Sequence, residues 1–233
     1  GLDLESYTSY DDTKNQKMKY SWNYEGGSKL LTGGDLPSET KITDSTVYGY
    51  AGRYMDWSVS VDGKMTDTLL VSSTLVESYT KYDGSKDQKM DYTWNAAAGC
   101  TYGDIGGIDQ AAYDVLTSDD KAGYEKIGES YYKTELFDTS VIYKYDGSKY
   151  LLRSYTVEGI AVDLVVTDLL ESQTKYDGSK TQKMEYTWNY EGGTQVSSME
   201  DAGTVDTSTI YDYTEGNAKY MDASYTITGG HIA

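Results

Sequence analysis

One motif occurs three times in this chain, so any fold must accommodate it three times over. Glu5 opens ESYTSYDDTKNQKMKYSWNYEGG, Glu77 opens ESYTKYDGSKDQKMDYTWNAAAG, and Glu171 opens ESQTKYDGSKTQKMEYTWNYEGG. The copies divide the 233 residues into imperfect repeats over 1–76, 77–170 and 171–233. A chain of this length patterned this way reads as one β-sheet domain rather than a string of independent modules.

Each copy reads as a strand, a tight turn and a returning strand. Asp83-Gly84-Ser85-Lys86 and Asp177-Gly178-Ser179-Lys180 supply the turns, and Asp146-Gly147 supplies one in a second hairpin. Glycine gives the positive φ such a turn uses, and aspartate accepts bonds from amides two residues on. The first copy carries Asp11-Asp12 there instead, which leaves its turn type open. In the returning strand Met90, Tyr92 and Trp94 alternate with polar residues, as do Met18, Tyr20 and Trp22, and Met184, Tyr186 and Trp188. Period two places each triplet on one face, where neighbouring strands would stack it side by side.

A weaker hairpin follows in every repeat, starting at Ser45, Thr139 and Thr207. After it, Asp67 to Val71 and Asp163 to Val166 read as apolar strands leading into the next Glu-Ser. Variable Gly-, Ser- and Asp-rich segments separate the hairpins. In the longest, apolar residues between Asp109 and Ile127 fall near helical spacing and predict one short helix. The single Pro37 sits in the matching loop of the first repeat, away from central strands. The fold class is therefore all-β: a large antiparallel meander of repeated hairpins, open-edged and curved.

The third repeat reaches Tyr225 to Gly230 without a following apolar strand, while Gly1 to Ser6 resembles the tail Asp168 to Ser172. This phase predicts assembly edges at Leu2, Leu4 and Ser6 on one side and Tyr225, Ile227 and Ile232 on the other. An unpaired edge is a template for another chain, so the sheet would continue between molecules as a homopolymer. Edges capped by loops, or a closed barrel, are the competing reading.

Composition limits function further. With 38 acidic against 20 basic residues the net charge is -18, which disfavours nucleic acid and anionic membrane surfaces. No apolar run approaches the roughly 18 residues of a membrane helix. Twenty-six tyrosines against one phenylalanine bring aromatic area with hydroxyls attached, suited to an ordered but wet sheet. A start at Gly1 rather than methionine fits a removed export signal. The single Cys100 cannot form an internal disulfide; it is either an isolated thiol or a cross-link between subunits. With one histidine, His231, and one cysteine, no catalytic triad can be drawn, and phosphate, dinucleotide and paired-cysteine motifs are absent, so the chain reads as a non-enzyme without cofactor. Asp11-Asp12, Asp119-Asp120 and Glu200-Asp201 offer oxygen ligands for weak calcium binding, without EF-hand spacing; solvated acidic turns are the plainer reading.

The repeated YDGSK turn followed by QKMxYTW, in an acidic tyrosine-rich chain, resembles the major sheath proteins of filamentous methanogenic archaea. The resemblance implies an extracellular tubular sheath built from a β-rich, amyloid-like polymer. The strand-turn-strand units also resemble the curved sheets of lipoprotein-carrier folds, which implies a lipid- or glycan-binding alternative. A carrier needs a large apolar concave face, whereas this chain places tyrosine and threonine there. An adhesin presenting residues 99 to 138 from a rigid sheet is a third reading.

Overall fold

The computed structural model describes residues 3–26, 28, 36–38, 41–147, 149–165, 168–195, 205–213 and 221–230. Leu2, His231, Ile232 and the Glu200-Asp201 pair lie outside them. Its strands are β1 Ser6–Tyr10, β2 Met18–Tyr24, β3 Ile42–Ala51, β4 Tyr54–Asp62, β5 Ser78–Tyr82 and β6 Met90–Ala96. After the middle insertion come β9 Phe137–Tyr145, β10 Leu151–Glu158, β11 Leu169–Tyr176, β12 Met184–Gln195, β13 Val205–Asp212 and β14 Ala223–Thr228, with β7 Tyr124–Ile127 and β8 Ser130–Lys133 inside the insertion. Apart from the separate β7–β8 pair, the strands form one open antiparallel meander in chain order from β1 to β14. The all-β meander expected from the hairpin repeats is what the chain forms.

Residue contacts group into two compact units, Gly1–Met90 with Asn95–Phe137 and Asp91–Trp94 with Asp138–Ala233. In both, strand alternation sorts side chains between two faces. Along β3, Ser45 and Val47 are buried while the alternating Thr46 and Tyr48 are only half-buried. Across the ladder Val47 pairs with Val59, and Ser45 with Val61, so one face carries the apolar row. The first unit's core joins Trp22, Tyr24 and Ile42 to Leu4, Tyr7, Tyr20 and Leu36. The second unit's core is built on Ile142, Tyr155, Val157, Leu170, Tyr186 and Trp188.

Among the described residues, the segments expected to be apolar connecting strands do not join the sheet. Asp67 to Val71 forms turns, closed by the Leu69 and Leu70 amides donating to the Thr66 carbonyl at 3.1 and 3.2 Å. Leu69 and Val71 are 55% exposed there. In the second unit, where Val166 lies outside the described residues, the Asp168 amide bonds the Val165 carbonyl while its carboxylate accepts from the Val165 amide, so Val165 is engaged locally before β11. Local acceptors have captured amides that a strand would need for its ladder. The residues just ahead of these segments cover the apolar face instead. Buried Ser45 accepts from the Met65 amide at 2.8 Å, and the Trp22 indole donates to the Met65 carbonyl at 2.6 Å. The second unit repeats the device: Ser140 accepts from the Ala161 amide and Trp94 donates to the Ala161 carbonyl, both at 2.8 Å. Each lock satisfies the polar atoms that a buried tryptophan and a buried strand edge bring with them.

The middle insertion also departs from expectation. It opens on α1 Tyr102–Ile105, and in place of one helix over Asp109 to Ile127 it has two short ones, α2 Gln110–Asp114 and α3 Ser118–Lys121, followed by the β7–β8 hairpin. Asp109 caps α2 through the Ala112 amide at 2.8 Å, and Thr117 caps α3 through the Asp120 amide at 3.2 Å. A new cap after each turn divides the segment, and Val115, at the apolar spacing, is 83% exposed with no core to bury into.

Gly49 marks a close approach on the core face. A Cβ there would overlap the Trp57 indole, which stands opposite it in the ladder. Gly49→Ala is therefore expected to lower stability by about 1–3 kcal/mol, the usual range for overpacking. A denaturant midpoint unchanged from the parent would refute this.

Candidate functional site

The loops after β1, β5 and β11 share one architecture. Each runs seven residues rather than the tight turn that Asp-Gly suggested. The Asp83 amide donates to the Lys89 carbonyl at 2.9 Å, and the Lys89 amide returns to the Asp83 carboxylate at 3.1 Å. Ser85 adds its amide and hydroxyl to the same carboxylate at 3.0 and 2.7 Å. Asp177 with Ser179 and Lys183 repeats this set, as does Asp11 with Thr13 and Lys17, so the first repeat needs no glycine to close its loop. Gly84 and Gly178 do take positive φ, at 62° and 65°.

Gln16, Gln88 and Gln182 carry the left-handed conformation, at φ 47°, 49° and 47°. That conformation disfavours a side-chain-bearing residue. In two repeats the reason is visible: the Gln88 side chain accepts from the Met55 amide at 3.3 Å, and Gln182 from the Leu151 amide at 3.2 Å. Each glutamine caps the start of the strand next door. Sequence reasoning passed over these residues, although Gln-Lys-Met occurs in every repeat.

Burial pushes the Asp83 and Asp177 carboxyls up, yet the bonds from Ser85 and Lys89, and from Ser179 and Lys183, outweigh it and leave both below the ordinary value of 3.8. A depressed folded-state value contributes stability above the unfolded pKa and loses it as pH falls through the folded one. The loops are thus expected to loosen below about pH 4. Asp83→Asn should flatten that part of the pH–stability profile, and a profile identical to the parent would contradict the assignment.

The aromatic triplets form stripes on the core face, stacked along each strand more than between strands. Tyr20 and Trp22 have ring centroids 4.9 Å apart, Tyr92 and Trp94 4.9 Å, and Tyr186 and Trp188 4.5 Å. All three tryptophans and Tyr186 are buried, whereas Met18, Met90 and Met184 are half-buried. Their stacking fills cores. Cys100 is fully buried, and burial, with Asp104 nearby, pushes its thiol up to about 11. A cross-link through it would require that segment to open, because a protonated, enclosed thiol neither attacks nor meets a partner. No group of three His, Cys, Asp or Glu side chains suited to a metal ion occurs among the described residues. Asp11 is engaged by its own loop and Asp120 by the α3 cap.

The opposite face carries a ladder of hydroxyls. Tyr48 meets Ser21 at 3.2 Å, Tyr82 meets Ser58 at 3.4 Å, Tyr143 meets Thr93 at 3.4 Å, Tyr176 meets Ser154 at 3.5 Å and Tyr211 meets Thr187 at 3.3 Å. Each tyrosine reaches the strand before its own.

Among the described residues, two strands of the twelve-stranded sheet have a ladder neighbour on one side only, β1 beside β2 and β14 beside β13. Of the expected edge residues, Leu4 packs against Trp22 and bonds the Ser28 carbonyl through its amide at 2.7 Å, and Ser6 opens β1. Tyr225 and Ile227 lie on β14, where Tyr225 is 57% exposed. No protein-family model matches the chain, and no curated protein does.

Proposed function

We propose that this chain is a structural subunit of an extracellular sheath or surface layer, a homopolymer that grows edge to edge by β-strand addition. One comparison carries the reading. Met221, two residues before β14, and Tyr225 on it are 48% and 57% exposed, while Met55 and Val59 at the corresponding places of β4 are 8% and 0% exposed, and Leu151 and Tyr155 on β10 are 6% and 2%. β4 and β10 have β5 and β11 as outer neighbours; among the described residues β14 has none, and the side chains at the corresponding places are exposed. Fully covering a large apolar side chain is worth roughly 1.5–3 kcal/mol, so the edge gains by acquiring a strand. Among the described residues no helix is long and apolar enough to cross a membrane.

With a net charge of -18 on each copy, assembly is expected to strengthen with ionic strength as long-range repulsion is screened. Negative-stain microscopy beside sedimentation, with and without added salt and millimolar calcium, tests the reading. Hoops, tubes or sheets that persist in denaturant support it. A monodisperse monomer under every condition overturns it and favours a lipid- or glycan-binding module.

A further inference from the structure

We infer, resting on that reading, that the strand completing the β14 edge is β1 of a second copy, held in the register that β4 shares with β5 and β10 shares with β11. In the first of those junctions Ser58, Val59 and Ser60 stand opposite Thr80, Tyr79 and Ser78. In the second, Ser154, Tyr155 and Thr156 stand opposite Thr174, Gln173 and Ser172. The two registers coincide residue for residue once the repeats are aligned. Carried to the edge, the register sets Ser224 opposite Thr8 of the second copy, Tyr225 opposite Tyr7, and Thr226 opposite Ser6.

Three observations converge on this pairing. The hydroxyl ladder has a rung from Tyr82 to Ser58 and another from Tyr176 to Ser154. Tyr10 occupies the matching place on β1, is 53% exposed, and would meet Ser224, also exposed. Gln88 and Gln182 each cap the first residues of the preceding strand, and Gln16, in the same left-handed conformation, falls in register with the Met221 amide. Finally, β1 reads SYTSY and β14 reads ASYTIT, so neither edge carries a charge in a strongly acidic chain. Like-charge repulsion, which opposes contact elsewhere on the surface, is absent from this seam. A slip of one residue would put Tyr225 on the wrong face and break the rung and the cap together.

Paired cysteines read the register directly, since a disulfide forms only when the two Cβ atoms approach within about 3.5–4.5 Å. Two full-length double variants are used, Tyr7→Cys with Tyr225→Cys and Ser6→Cys with Thr226→Cys; the second spares the contact of Tyr7 with Trp22. A Thr8→Cys, Tyr225→Cys variant reports a one-residue slip. After oxidation, both in-register variants are expected to run as ladders of covalent dimers and higher multimers on a non-reducing gel, with at least tenfold more cross-linked material than the slipped variant. Ladders confined to the slipped variant, or polymers in the microscope with no ladder from either in-register pair, overturn the register while leaving edge assembly standing. Absence of both polymers and cross-links overturns the register and the structural reading together.

Discussion

Replacing Trp94 by alanine is expected to destabilise the protein by about 3–5 kcal/mol, the range for deleting a fully enclosed large aromatic. The side chain is 1% exposed, packs its ring at a tilt against Tyr92 with centroids 4.9 Å apart, and donates its indole hydrogen to the Ala161 carbonyl at 2.8 Å. Alanine would open a cavity and strand that carbonyl beneath the covering segment, a further cost of about 1–3 kcal/mol if water cannot reach it. Trp94→Phe keeps most of the ring and loses the bond, so it should fall between parent and alanine. Denaturant unfolding followed by tryptophan fluorescence orders the three proteins. Equal midpoints for Phe and the parent would show that the lock to Ala161 contributes nothing, and equal midpoints for Phe and Ala that the ring fills no cavity.

Tyr225→Lys should leave the isolated subunit nearly unchanged and prevent its assembly. Exposed substitutions normally alter stability by no more than about 0.5 kcal/mol, and Tyr225 is 57% exposed. In a seam matching β4 to β5, however, this position takes the environment of Val59, which is fully buried. An ammonium group confined there without a partner would cost several kcal/mol, and natural sheets use edge lysines to block pairing. At 1.4 kcal/mol per factor of ten, a penalty of about 3 kcal/mol raises the concentration needed for polymer by roughly 100-fold. Sedimentation across a concentration series reads this shift, while unfolding of the same variant reports whether the subunit itself is intact. Polymer at the parent's threshold would refute the β14 seam.

Charge alone works in the same direction more weakly. At a net charge of -18 every contact between copies meets long-range repulsion, which salt reduces within a Debye length of about 8 Å at physiological ionic strength. The uncharged edges confine the gain to short-range pairing.

The repeats, the alternation of Met-Tyr-Trp and the acidic, tyrosine-rich composition determined the strands, their antiparallel order and which face would be apolar, because period two and hairpin connectivity are local properties of the chain. Tertiary structure alone decided three other matters. Asp67 to Val71 looked like a strand because its apolar residues are contiguous, but the Thr66 carbonyl and the Thr74 hydroxyl hold its amides in turns, and hydrogen-bond competition of that kind does not appear in hydropathy. Gln88 and Gln182 became strand caps only because the fold brings β4 and β10 beside their loops, across more than thirty residues of sequence. Cys100, an isolated thiol or a cross-link by its sequence, is fully buried, and its carbonyl accepts from the Val76 amide of the segment before β5. Burial is a sum over neighbours, and only folding supplies the neighbours.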